Sequence, residues 1–211
     1  MVTDVSQNGE IMNNSAMFKL SYGLFVLSAK SGEKDNGCII NTAAQVTTSP
    51  NRITIAVNKQ NYTHDMIQDT KEFNLSILDQ TVPFSVFQNF GFQSGREVDK
   101  FAAGGYRRSE NGLFYLPEHT SAYISGKVVQ EVDLGTHTLF LADVTDAEMV
   151  SGLESVTYSY YQDNIKPKKQ ETNKKGYRCK ICGYIYEGDE LPADFICPIC
   201  KHGAADFEKI E

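Results

Sequence analysis

What this sequence lacks narrows its biochemistry first. No stretch approaches the roughly 18 consecutive apolar residues that a membrane-spanning helix needs, so a membrane is not an expected partner. Basic charge is scarce: 20 Lys and Arg stand against 27 Asp and Glu, a net charge of −7 over 211 residues. A basic face for phosphate backbones is not expected, and nucleic acid is not a predicted partner. Met1 to Ala16 lack the charged-then-apolar order of a secretory leader, which predicts a cytoplasmic protein. There is no G-x-G-x-x-G dinucleotide fingerprint, and no Ser-His-Asp or nucleophilic-cysteine constellation.

Cysteine is also sparse, with five in the chain, but four of them crowd into the last 35 residues as Cys179, Cys182, Cys197 and Cys200. Without a secretion signal, two C-x-x-C pairs read as metal ligands rather than disulfides. Cys38 stands alone and has no Lys, Arg or His beside it in sequence, so it is expected to be an inert small apolar residue.

Charge also marks a seam in the chain. Residues 1–163 carry a net −8, residues 164–176 a net +4 and residues 177–211 a net −3. The middle piece has a single aliphatic residue and five lysines, so it cannot bury enough surface to order itself. We therefore expect two domains, 1–163 and 177–211, joined by a flexible tether at 164–176.

In the first domain the dominant signal is alternation, as in Ile53 to Val57 and Phe73 to Ile77. Ser121 to Val132 and His137 to Val144 are β-rich runs joined by a Gly-containing turn. Tyr22 to Ala29 and Cys38 to Ile40 read as another hairpin around a polar loop, Ser31 to Gly37. Many short strands predict a mainly β domain, a barrel or sandwich. Thr63 to Thr70 and Val82 to Phe90 read as short helices packed on it, with Thr63 as the predicted N-cap of the first. A helix N-terminus is also a natural seat for a phosphate.

The two C-x-x-C pairs, 14 residues apart, suit one tetrahedral four-thiolate site for iron or zinc. Their flanks, C-x-x-C-G-Y and C-P-x-C with Tyr177 ahead and Phe207 behind, resemble rubredoxin, whose four cysteines bind one iron that carries single electrons. The short spacer is closer to the form found in rubrerythrins, and Lys201 stands where the family usually has Gly. A zinc ribbon would use the same four thiolates without redox chemistry.

The polar segments Asn41 to Thr48, Asn58 to His64 and Ser94 to Phe101 are individually weak signals for a phosphorylated planar ligand. Taken in order, N-T-x-x-Q-V-T, N-K-x-N-x-T-H, S-G-R-x-x-D-K-F and G-T-H-T-x-F resemble the flavin-reductase-like FMN-binding split barrels, over about residues 17–162. That resemblance implies a split β-barrel with short helices that binds FMN. It places Asn41, Thr42, Gln45 and Thr47 against the flavin ring, and Lys59, Asn61 and Thr63 around the phosphate with Lys100 nearby. It sets His137 on the nicotinamide side, and implies a homodimer.

The pairing is itself informative, because nicotinamide delivers two electrons as a hydride while a four-thiolate iron accepts one; a flavin converts between them. The chain is similar to flavoproteins in which such a barrel is fused to a rubredoxin. These take electrons from NADH or NADPH and donate them to flavodiiron oxygen or nitric oxide reductases. Two other readings use the same residues: a flavin reductase that releases reduced FMN and carries a structural zinc tail, and a passive carrier reduced by another protein.

Overall fold

The computed structural model describes residues 14–167, 176–198 and 202–210; the side chains of Asn14, Ser15 and Phe18 are not described. Chain order runs β1 (Phe25–Ser31), β2 (Lys34–Ile40), β3 (Ala43–Thr48), β4 (Asn51–Asn58), α1 (Tyr62–Thr70), β5 (Glu72–Leu78) and α2 (Phe84–Gly91). It continues through β6 (Arg107–Arg108), β7 (Phe114–Tyr115), β8 (Thr120–Asp133), β9 (His137–Met149) and a helical turn over 158–165. A small three-stranded sheet follows, built from β10 (Gly176–Cys179), β11 (Ile185–Tyr186) and β12 (Phe207–Ile210). No helix among the described residues is long and apolar enough to cross a membrane.

Seven strands form one antiparallel sheet in the order β2-β1-β5-β8-β9-β4-β3. The sheet must roll up, because residues from opposite ends of that order share one core. Cys38 and Ile40 of β2 pack in the same cluster as Ile53, Ile55 and Val57 of β4, with Phe140 between. Met66 and Ile67 of α1 join this cluster, and α1 packs against β1 and the edge strand β2. Of the barrel or sandwich that the alternating patterns allow, the chain forms the barrel, as the resemblance to split barrels implies.

Period-two geometry explains why β1 is buried on both faces. Phe25, Leu27 and Ala29 point into the barrel. Leu24 and Val26 face outward beneath α2, where Phe87, Phe90, Phe101, Leu116 and Tyr161 complete a second core. Tyr161 lies 4.4 Å from Phe87, ring to ring, and burial raises its phenol pKa to about 12, with the nearby Tyr158 adding to the shift.

Two local expectations are corrected. The β1–β2 loop is a two-residue turn, since Ser31 pairs with Lys34, and Gly32 supplies the left-handed conformation at φ 57°. Asn36 and Gly37 are therefore strand residues and not loop. Helix α1 begins one residue before Thr63: Asn61 is the N-cap in extended conformation, and Thr63 lies inside the first turn, fully buried. Thr63 is excluded as a cap because its hydroxyl is engaged in the core, accepting a hydrogen bond from Asn36 Nδ2 at 3.0 Å.

Both ends of the expected 164–176 tether are held in structure. Ile165 packs against the second core, and Gly176 pairs with Ile210 in the small sheet. Residues 168–175 lie outside the described residues, as do Met1 to Asn13.

Candidate flavin site and thiolate metal centre

In the small domain, strand pairing brings Tyr177 opposite Tyr186 and Cys179 opposite Phe207. Phe195 sits at the centre of an aromatic group, 4.8 Å from Tyr186 and 5.4 Å from Phe207. These rings supply the apolar burial that so short a domain otherwise lacks. The first knuckle is closed by backbone hydrogen bonds from Gly183 to the Cys179 carbonyl (2.9 Å) and from Cys179 to the Tyr184 carbonyl (2.8 Å). Gly183 takes φ 79°, which is the conformational reason for the Gly after the second cysteine.

The sulfurs of Cys179, Cys182 and Cys197 all lie within 4.8 Å of one another, and those of Cys182 and Cys197 are 3.5 Å apart. Metal–sulfur bonds of about 2.3 Å in a tetrahedron separate neighbouring sulfurs by about 3.8 Å, so this donor set fits one thiolate-bound iron or zinc. Cys200 and Lys201 lie outside the described residues.

In the large domain most of the predicted ligand residues gather at one end of β4. Thr42 is joined to Ala56 by two hydrogen bonds, its hydroxyl donating at 2.6 Å and its carbonyl accepting at 3.1 Å. His137 pairs with Asn58, its Nδ1 lying 2.9 Å from Thr136 Oγ1. Lys59 donates from its backbone to Thr136 O (3.0 Å) and from its ammonium to Asp133 (2.6 Å), and Asn61 follows as the α1 cap.

Asn41 is half-buried at the start of this segment. Gln45 and Thr47 lie farther along β3, opposite Ile53 and Arg52, with a bulge between them that leaves Val46 exposed. Gln45 donates to Asn51 Oδ1 (2.9 Å), and Thr47 Oγ1 donates to the Pro50 carbonyl. Five of the six residues of this edge strand are exposed. A polar, uncovered edge beside a helix N-terminus fits an elongated planar ligand with a phosphate at one end.

Lys100 and Thr63 are enclosed in the protein and not on this edge. Lys100 is 4% exposed, and its ammonium donates to the carbonyls of Gly37 (2.9 Å) and Phe90 (3.1 Å). Burial lowers its pKa, opposed by the neighbouring Cys38. Thr63 is enclosed with it. The Cys38 thiol shares this pocket; burial pushes it up, although a hydrogen bond with Thr63 and the charge of Lys100 pull the other way. Cys38 is buried as expected, but a lysine from a loop far along the chain reaches it.

Arg96 arrives where Lys100 does not. Its guanidinium donates to Asp65 Oδ2 at 2.5 Å and stacks 4.8 Å over the Tyr62 ring, on the first turn of α1. Burial works against ionisation of Asp65, but the hydrogen bonds from Arg96 and His64 hold its pKa low. Gly95 fixes this loop: a Cβ there would meet Asn36 Oδ1 at 2.0 Å. No periodicity distinguishes Arg96 from Lys100, since both sit in an irregular loop. His64, the last residue of the Asn58 to His64 segment, is buried and bonds Thr138 Oγ1 through Nε2 at 2.8 Å.

Comparison with known proteins decides the family. Residues 17–169 match the family model described as flavin reductase like domain, and residues 177–208 match the rubrerythrin, rubredoxin-like domain. The chain belongs to the flavin reductase-like family. It is 40% identical to a high molecular weight rubredoxin of Moorella thermoacetica, over 94% of this chain and all of that one. A ferric-chelate reductase (NAD(P)H) of Archaeoglobus fulgidus is 35% identical over 76% of this chain and 95% of its own.

The fold is shared with a Streptomyces globisporus NADH:FAD oxidoreductase, at TM-score 0.61 and 22% identity, over 69% of this chain and 85% of that one. This flavin reductase-like chain is thus an oxidoreductase with a C-terminal rubredoxin-like domain, as both motif sets imply.

Proposed function

We propose that the protein is a cytoplasmic NAD(P)H-dependent flavoprotein that passes electrons from FMN to its own rubredoxin-type iron and then to a redox partner of the flavodiiron type. The observation that carries this reading is a flavin reductase-like barrel joined in one chain to cysteine sulfurs mutually within 4.8 Å. A bound flavin would supply the exchange between a two-electron hydride and single electrons, which the four-thiolate iron requires.

In this reading Asn41, Thr42, Gln45 and Thr47 orient the ring, while Lys59, Asn61 and Arg96 hold the phosphate at the α1 N-terminus. Thr63 and Lys100 serve the wall behind it, because their polar groups are already engaged inside the protein. His137 flanks the nicotinamide side. Cys179, Cys182, Cys197 and Cys200 hold the iron, in domain 177–211, tethered to domain 1–163. Exposed Ile181 and Ile196, next to Cys182 and Cys197, form an apolar rim suited to a partner's electron-entry site. Exposed Val129, Val132 and Leu134 near the turn of the β8–β9 hairpin support a homodimer.

The test is an anaerobic visible spectrum before and after adding NADH or NADPH. Flavin and ferric-thiolate bands should both bleach. Bleaching of flavin with no ferric-thiolate band present points to the zinc-tailed reductase, and bands indifferent to either nucleotide point to the passive carrier.

A further inference from the structure

Phe92 connects two cores that otherwise belong to separate domains. Its ring packs with Phe84, 5.9 Å away, on the outer core under α2. It also packs against the cluster formed by Cys179 and Cys197. Phe92 is the C-cap of α2, so the helix ends with its last ring directed at the cysteine cage.

A cavity of about 460 Å³ lies beside this contact. One wall is Ile39, Phe84, Phe87 and Phe92 of the barrel; the other is the first knuckle, Cys179 to Gly183. The cations on the knuckle side are engaged within their own module, Arg178 with Glu208 (2.7 Å) and Lys180 with the Ala205 carbonyl (3.1 Å). The seam closes on aromatic and aliphatic groups together with polar Gln162, Lys166 and Glu208, and it is incompletely filled.

We propose that the end of α2 is a docking seat for the metal knuckle of the same chain, with Phe92 as the positioning residue that covers the sulfurs in the docked state. Three observations favour this occupant over a foreign one. The knuckle is seated there. Only eight residues separate Pro167 from Gly176, and a tether that short gives an effective concentration on the order of millimolar, so a weak contact suffices. A partly empty seam around one ring is a weak contact, and weak inter-domain contacts separate readily.

The seat reaches Ile39, on the strand that leads into the segment assigned to the flavin. A Cβ on Gly91 would touch Ile39 Cγ1 at 3.4 Å, and Ile39 lies two residues before Asn41. The proposal deepens the electron-relay reading and rests on it for its purpose, since a seat of this kind lets the metal module stop beside the barrel and then leave for a partner.

The test is made on the full chain and reads no turnover. The sequence has no tryptophan, so Phe92→Trp introduces a single indole emitter at the seat. Its emission should be strongly quenched when the cysteines hold ferric iron and restored when they hold zinc. In the zinc-loaded chain, Phe92→Asp should release the metal to a colorimetric chelator several-fold faster than the parent, and deuterium uptake at residues 177–186 should rise. Equal indole emission from the iron and zinc forms of Phe92→Trp, with unchanged zinc release from Phe92→Asp, overturns the docking seat. Zinc carries no electrons, so that failure is distinct from failure of the relay, which the nucleotide titration of the unsubstituted chain reads separately.

Discussion

The ammonium of Lys100 lies 2.9 Å from the carbonyl oxygen of Gly37, tying an irregular loop to the middle of strand β2. Its second acceptor, the Phe90 carbonyl, belongs to α2. One buried cation thus pins three pieces of chain. Truncation in Lys100→Ala strands two carbonyls and leaves a void, which should cost about 2–4 kcal/mol, or roughly 5–15 °C in Tm. Differential scanning calorimetry checks this. A change within about 1 °C would place Lys100 outside the framework of the fold.

Arg96 should behave in the opposite way. Its pair with Asp65 is half-exposed, so Arg96→Ala should leave thermal stability nearly unchanged. A charge-assisted hydrogen bond to phosphate is worth about 1.5–3 kcal/mol, which predicts FMN binding weaker by roughly 10- to 100-fold. Riboflavin, which has no phosphate, should bind parent and variant alike. Equal losses for the two flavins in a fluorescence titration would remove Arg96 from the phosphate site. Gly95→Ala, which forces a Cβ into Asn36, should reproduce part of the FMN loss by shifting the loop.

The Asp65 carboxyl gives a pH signature. Its folded pKa is lowered, so its contribution to stability is fully present above the ordinary carboxylate pKa and is lost as pH falls through the lowered value. Urea midpoints of the parent and Asp65→Asn should differ only slightly at neutral pH, as the half-exposed pair requires, and converge in acid below the usual carboxylate range. A constant offset across that range would show that the carboxylate charge is not what Arg96 and His64 stabilise. Added salt should shrink the neutral-pH difference.

Thiol chemistry should divide the five cysteines four to one. Cys38 is 3% exposed and its thiol pKa is pushed up by burial, so it should resist alkylation in the folded chain. After the metal is chelated, Cys179, Cys182, Cys197 and Cys200 should label quickly and Cys38 only on unfolding. Mass mapping of the labelled peptides reads this directly, and early labelling of Cys38 would contradict its enclosure by Thr63 and Lys100.

Cys182→Ser should abolish the ferric-thiolate colour and leave bleaching of the flavin by nicotinamide intact. Turnover with a protein acceptor should fall with the colour. Full turnover in the colourless variant would show that electrons leave from the flavin itself.

By itself, the sequence determined features that rest on local spacing. Two C-x-x-C pairs and their Gly183 flank specify a thiolate cage, since two residues between cysteines set both sulfurs on one turn. Alternation in Ile53 to Val57 and Phe73 to Ile77 specifies strands with one inward face, because side chains on a strand change sides at every residue.

Contacts made across long stretches of chain were decided only in the tertiary structure. Arg96 and Lys100 share a loop and a charge, yet one lies over the first turn of α1 and the other donates into the barrel wall. Which does which depends on Gly95 meeting Asn36, a residue far earlier in the chain that the hairpin signal assigned to a loop. Phe92 likewise looks in sequence like one more ring of an aromatic helix, and its contact with the cysteines of another domain follows from packing. Such choices turn on which surface removes most apolar area from water while leaving each polar group a partner, a balance set by the assembled fold.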